Sequence, residues 1–184
     1  PGVQGSLGFI LAFQAFPTII FFSALVAVLY YYPVLPFIIR QFARLFTKVM
    51  RISGAEALCS ASNIFVGIEA GFTIKPHIEK MTRSELCTIL TAGMATVASN
   101  VLALYVFTLQ AQFPSIAGHL ISASFLSAPA ALMMSKLIFP ETGTPETLGN
   151  VVDIHYERDA NLFEAIINGS ASGLKVIFSI VALL

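Results

Sequence analysis

Long apolar stretches without charge alternate with short polar ones along this chain, and their lengths predict which segments cross a membrane. Residues 1–39 contain no Lys, Arg, Asp or Glu, and residues 86–135 contain none either. About 20 apolar residues are enough to cross a bilayer, so the first stretch predicts one transmembrane span within residues 1–36. The second stretch is long enough for two spans, and the polar sequence QAQFPS divides it into spans at 82–110 and 116–139.

A basic amphipathic helix is predicted after the first span, which Pro33 and Pro36 are expected to end. Cations recur there at spacings that place them on one helical face: Arg40, Arg44, Lys48 and Arg51. Helices of this kind lie along a membrane surface. We predict a cytoplasmic helix over residues 37–52, whose basic face is either a solvated connector surface or a contact for lipid or a regulator.

The segment at residues 53–80 predicts a re-entrant helical hairpin. Ser53 and Glu56 have the spacing of a capping box, which predicts a helix start, and the helical pattern then continues to Val66. A helix of that length spans about 20 Å, too short for a hydrocarbon core of about 30 Å. A glycine-bracketed break follows, and then a second short apolar piece that stops at Pro76.

One carboxylate lies at that break, in the sequence Gly67-Ile68-Glu69-Ala70-Gly71. An ionisable side chain at membrane depth is costly and is therefore a candidate functional residue. Glu69 is accordingly the expected centre of a binding site, or else a cap on the half-helix that begins at residue 72. A second capping box, formed by Thr82 and Glu85, predicts the start of the next span.

The C-terminal part predicts a cytoplasmic loop at 140–160 and then, over 161–184, an amphipathic lead-in to a truncated span. We expect a fragment cut at both ends. If 53–80 returns to its own side of the membrane, all ten Lys and Arg lie on one side. The positive-inside rule makes that side cytoplasmic and predicts a multi-pass protein of the cell (inner) membrane.

Composition narrows the function classes. The chain is 57% hydrophobic and 11% charged, which is typical of a membrane protein. Its net charge of zero argues against a nucleic-acid surface. Cys59 and Cys87 show neither disulfide-framework nor zinc-site spacing. No nucleophile with its base and no phosphate-binding loop occurs in the sequence, so an enzyme is not expected.

A few polar residues fall inside predicted spans. Thr96 and Asn100 share a face with Ser99 close by, and they either contribute to a site or bond their own helix backbone. Asn63, one turn before the hairpin break, is either an ion ligand or a helix–helix hydrogen-bonding group. Lys136 lies at the end of a span, where a lysine side chain can extend to the membrane surface.

Several phrases together resemble the concentrative nucleoside transporter family. They are LAFQAFPTIIFFSALVAVLYY, SGAEALCSASNIFVG, EAGFTIKPHIEKMTRSEL, AGMATVASNVLA, LISASFLSAPAALMMSKLIFPET and INGSASGLK. The resemblance covers nearly the whole chain. It implies an all-α membrane protein in which transmembrane helices and a re-entrant hairpin form part of an inverted-repeat transporter, assembled as a homotrimer.

The resemblance also implies roles for individual residues. Gly67, Glu69 and Val101 match positions that contact the nucleobase, while the ribose half of the site lies outside this chain. The sodium site would use Asn63, the Val66 carbonyl, and Thr96 and Val97 from an unwound part of the second span. The hairpin tip is one residue shorter than the family pattern and lacks its Gln and Thr, which is expected to alter base recognition.

We therefore expect an ion-coupled nucleoside importer that works by alternating access, with sodium as the coupling ion and a proton carried by Glu69 as the alternative. No other cofactor is implied. The expected partners are a nucleoside and the lipid bilayer. The alternative function is a non-transporting gate-like or assembly module that uses the same hairpin for packing.

Overall fold

The computed structural model describes residues 13, 16–154 and 159–183, and at residues 67–69 and 72 it describes only the backbone. Within these ranges the chain is helical and contains no strand. The α-helices are α1 Phe16–Tyr31, α2 Val34–Met50, α3 Gly54–Val66, α4 Arg83–Ala95, α5 Ser99–Leu109, α6 Ile116–Ile138 and α7 Leu162–Leu183. A 3-10 segment, Gly67–Lys80, connects α3 to α4.

Three stretches of the described chain are long and apolar enough to cross a membrane. They are Arg83–Leu109, which contains α4 and α5, then Ile116–Ile138 and Leu162–Leu183. Helices α1 and α2 qualify only as a pair, and they are bent by 78° at their junction. Helix α6 lies within the third predicted span, 116–139. Residues 162–183, in the segment predicted as a lead-in helix and a truncated span, form one continuous helix.

Helix α2 begins at Val34, three residues earlier than predicted, so Pro36 does not end a helix but lies in the first turn of the next one. Proline is tolerated there because the first-turn N–H groups have no intrahelical partner. The apolar face of α2 buries Leu35, Ile39 and Phe46 against α3.

Helix α3 is the most enclosed element, since every residue from 54 to 64 is buried. It packs against α2, the 3-10 segment, α4 and α6. Both predicted capping boxes are present. Glu56 accepts from the Ser53 amide and Ser53 Oγ accepts from the Glu56 amide, at 3.1 and 3.3 Å. Thr82 and Glu85 form the same reciprocal pair at the start of α4.

Helices α1 and α7 approach each other through glycines. A Cβ atom on Gly169 would lie 2.6 Å from the Ala27 Cβ, and one on Gly173 would lie 3.0 Å from the Ile20 Cα. The absent side chains therefore allow the two backbones to pack closely, as small residues do between membrane helices.

The loop at residues 140–153 contacts both ends of the segment 53–80, the predicted hairpin, and these two ends form the base of that hairpin. The Gly54 amide donates to the Thr147 carbonyl at 2.9 Å, and the Ala55 amide donates to Thr147 Oγ1 at 3.2 Å. Lys80 pairs with Glu146 at 2.9 Å, and Arg40 pairs with Asp153 at 3.0 Å. This loop thus connects α2, both ends of the hairpin and the end of α6.

Candidate functional site

The second span is broken in its middle. Helix α4 ends at Ala95 and α5 begins at Ser99, with extended backbone angles at Thr96 and Ala98. Such a break leaves backbone carbonyls and amides without intrahelical partners. Thr96 Oγ1 donates to the Ala92 carbonyl at 2.9 Å, which satisfies one carbonyl and leaves the hydroxyl oxygen able to accept or ligate.

The break packs against the end of α3. Ser99 Oγ donates a short hydrogen bond to the Phe65 carbonyl. Phe65 and Val66 line the same cavity as Ala98, Ser99 and Asn100. Val66, which the sequence assigned to an ion site, therefore lies close to Ala98 and Ser99, the residues that follow the assigned Thr96 and Val97.

Asn63 carries a buried polar atom that no protein group satisfies among the described residues. Its side chain is 1% exposed, and its Nδ2 atom lies 3.9 Å from Cys59 Sγ. Its Oδ1 atom is buried and has no hydrogen-bond partner among the described residues. Leaving such an oxygen unsatisfied costs about 1–3 kcal/mol, so it is expected to hold a guest. This neutral amide oxygen lies about one turn before the C-terminal end of α3, where it can bind a hard monovalent cation or a water molecule.

A cavity of about 170 Å³ lies between this break and the α1–α7 pair. Its polar lining includes Ser23 and Tyr30 from α1, Ser99 and Asn100 from α5, and Ser172 from α7. Asn100 Nδ2 donates to Ser23 Oγ at 3.0 Å across it. Because pockets for small organic ligands usually measure about 300–1,000 Å³, this cavity is too small for a complete solute site and is consistent with part of one.

The remaining predicted residues separate into two groups. Val101 and Val97 are not among the residues lining that cavity, and Val97 instead lines a second cavity of about 160 Å³ between the broken span and α6. At Gly67 and Glu69 the structure describes only the backbone, so the nucleobase contact assigned to these residues stays a prediction.

A buried ionic cluster at the base of the hairpin was missed by sequence reasoning. Lys136 Nζ lies 2.6 Å from Glu56 Oε1, 2.9 Å from Ser84 Oγ and 3.5 Å from Glu141 Oε2. Contacts with the carboxylates of Glu56 and Glu141 hold the Lys136 side chain at 23% exposure. Glu56 and Lys136 are 80 residues apart, and the sequence assigned Glu56 only to a helix cap.

Several neighbouring groups shift the pKa of Glu141. Desolvation, the largest single influence, raises its pKa. Hydrogen bonds from Thr82 Oγ1 and the Gly143 amide, together with the charge of Lys136, outweigh that influence and hold the pKa of Glu141 below its ordinary value of 4.5. This carboxylate therefore stays charged at neutral pH.

The described part of the chain contains no cluster of the side chains that usually bind metal ions in proteins. No group of three or more His, Cys, Asp or Glu side chains lies close enough together there to hold a metal ion. Cys59 and Cys87 are free thiols.

Two family models match the chain. One, described as "Nucleoside recognition", matches residues 12–112. The other, described as "Na+ dependent nucleoside transporter C-terminus", matches residues 119–184. Together they include the hairpin, the broken span and the last two helices.

Individual relatives agree with these models. The chain is 38% identical over 184 residues to the nucleoside permease NupC of Helicobacter pylori, and 39% identical over 175 residues to sodium/nucleoside cotransporter 1 of Rattus norvegicus. The first match covers all of this chain, and the second covers 94% of it. The chain spans only 42% and 26% of the length of these two proteins.

A solved structure shows the same arrangement of helices. CNTnw, in an inward-facing substrate-bound state, superposes with a TM-score of 0.86 at 36% sequence identity. The superposition covers 98% of this chain and 42% of that one.

Proposed function

Because this chain belongs to the concentrative nucleoside transporter family, a group of multi-pass membrane proteins, we propose that it is part of a sodium-coupled nucleoside importer. In this proposal the chain supplies the nucleobase side of the site through Gly67, Glu69 and Val101. Further parts of the full-length protein supply the ribose side. The observation that carries the proposal is the buried, unpartnered Oδ1 of Asn63, near the end of α3 that contacts the broken span through Phe65.

The proposed sodium site uses neutral oxygens. In this proposal the ligands are Asn63 Oδ1, the Val66 carbonyl, the Thr96 hydroxyl and the Val97 carbonyl. The hydrogen bond from Ser99 to the Phe65 carbonyl, which joins the end of α3 to the start of α5, supports a site at this contact. Neutral oxygens from broken helices are the usual ligands for Na⁺ in transporters. A proton-coupled alternative would depend on Glu69 and would not require an unpartnered oxygen at Asn63.

Replacing sodium with choline tests the coupling directly. In proteoliposomes containing the full-length protein, we expect nucleoside uptake to fall to background in choline and to recover with sodium. Asn63→Leu, which keeps a similar volume but removes the oxygen, should abolish the sodium response. Unchanged uptake in choline, or an Asn63→Leu protein with wild-type sodium dependence, would contradict the sodium site.

We also propose that residues 53–80 re-enter the membrane from the cytoplasmic side. Helix α3 has 13 residues and therefore a length of about 20 Å, less than the hydrocarbon core. Lys80 and Arg40 both contact the 140–153 loop, which supports their lying on one side. A single cysteine introduced at Lys75 should resist a membrane-impermeant reagent added outside intact cells, whereas labelling there would show that the segment crosses.

Homotrimeric assembly and location in the cell membrane form part of the same proposal, and they rest on family membership. The alternative, a gate-like or assembly module that does not transport, predicts no binding of nucleosides. Thermal unfolding of the full-length protein separates the two, because a ligand that binds the folded state raises stability with its concentration. A scan of nucleosides and free bases in that assay would also identify the preferred substrate.

A further inference from the structure

A line of polar side chains follows one face of α3 below Asn63. Glu56, Ser60 and Asn63 succeed one another at spacings of four and three residues. At 3.6 residues per turn they fall within an arc of about 60° and cover about 10 Å of the helix. Each of the three residues is at most 1% exposed, so the line lies inside the protein.

Two members of this line carry oxygens that no described group satisfies. Besides Asn63 Oδ1, Ser60 Oγ is buried and has no hydrogen-bond partner. Hydroxyls inside helices commonly donate to the carbonyl four residues earlier, as Thr88 and Thr91 do in α4. Since Ser60 does not, its hydroxyl oxygen is free to contact a small polar guest.

The lower end of the line opens towards a polar cavity. Glu56 lines a space of about 270 Å³ at the base of the hairpin, together with Arg51, Lys136 and Glu141. Lys136 neutralises Glu56 there at 2.6 Å. The line thus begins at the candidate cation site, passes Ser60, and ends where charged side chains meet solvent.

We propose that Ser60 is a second oxygen contact for the coupling cation, about one turn before Asn63 on the same face of α3. The inference rests on the proposed function, since the guest it assigns is the ion that Asn63 would hold. A serine hydroxyl about one turn from an amide oxygen adds a second neutral oxygen, the type of ligand that a monovalent cation takes in transporters.

Sodium itself is the probe for this contact. Thermal unfolding of the purified full-length protein is followed as NaCl replaces choline chloride at constant ionic strength, without nucleoside. We expect Ser60→Ala to raise the sodium concentration for half-maximal stabilisation about tenfold, the order expected for one lost contact to a charge. Ser60→Cys, which retains the volume, should shift it in the same direction.

Ser62→Ala is the matched control. Ser62 is equally buried and its hydroxyl is also unpartnered, but it lies about 100° around the helix from Asn63. The Ser62→Ala protein should need the same sodium concentration for half-maximal stabilisation as the wild type. If Ser60→Ala does not fold, Ser60→Cys decides the question.

Three results would overturn the assignment. The first is that the Ser60 variants need the same sodium concentration for half-maximal stabilisation as the wild type. This includes variants that are less stable at every sodium concentration, which would indicate that Ser60 binds a structural water. The second is an equal shift in Ser62→Ala. The third is a wild-type protein without any sodium response, which would remove the proposed sodium coupling as well; the first two results leave that coupling intact.

Discussion

Removing the positive charge at the base of the hairpin should destabilise the protein strongly. Lys136→Met keeps most of the aliphatic side chain but leaves Glu56, which is 1% exposed, without its ion-pair partner. Ser84 and Glu141 also lose a donor, at 2.9 and 3.5 Å. The perturbation is therefore an uncompensated buried charge rather than a cavity.

The magnitude follows from how enclosed the pair is. Breaking a fully buried ion pair costs about 3–5 kcal/mol. Lys136 retains 23% exposure and Glu56 keeps its hydrogen bond from the Ser53 amide, and both features reduce the penalty. We expect a loss of about 2–3 kcal/mol in the free energy of unfolding.

Reversible unfolding of the full-length protein in mixed micelles measures this loss. Adding Glu56→Gln to Lys136→Met should recover part of it, because the orphaned charge is then absent. Lys80→Met is the control, since Lys80 and Glu146 form an exposed pair at 67% and 53% side-chain exposure and should contribute nothing measurable. A Lys136→Met protein as stable as the Lys80→Met protein would refute the reasoning.

Three further predictions test other contacts. Gly169→Ala should separate α1 from α7 and lower the unfolding temperature, because its Cβ would clash with Ala27, whereas Gly118→Ala, which meets nothing within 4 Å, should not. Ser53→Ala should lower the free energy of unfolding in denaturant by about 1 kcal/mol, because the helix cap is lost. An unchanged free energy of unfolding would show that the cap does not stabilise the protein. The lowered pKa of Glu141 stabilises the fold above pH 4.5 and stops doing so as the pH falls through that lowered pKa. Glu141→Gln should therefore flatten the acid limb of stability against pH, and an unchanged limb would contradict this.

Local features could be predicted from the sequence because their causes are local. Both capping boxes depend on residues three positions apart, and the structure forms them as expected. Helix α6 coincides with its predicted span because an uncharged apolar run bounded by polar residues has few alternatives.

Features that depend on distant contacts could not be predicted from residue patterns. The break at 96–98 contains neither glycine nor proline, and only the family resemblance implied it. It coincides with the hydrogen bond from Ser99 to the Phe65 carbonyl, between positions 34 residues apart in the chain. The same holds for Lys136, whose partner Glu56 becomes visible only once α3 and α6 are packed together.

The 140–153 loop has a practical consequence for anyone who engineers this protein. By composition it is a polar connector of the kind normally chosen to carry a tag or a fluorescent reporter. Its backbone, however, supplies the acceptor for Gly54 and packs so closely there that a Cβ atom on Gly54 would overlap the Asn150 carbonyl. An insertion in this loop would disrupt its contacts with the start of α3. Reporters should instead be placed in the exposed turn at residues 110–115.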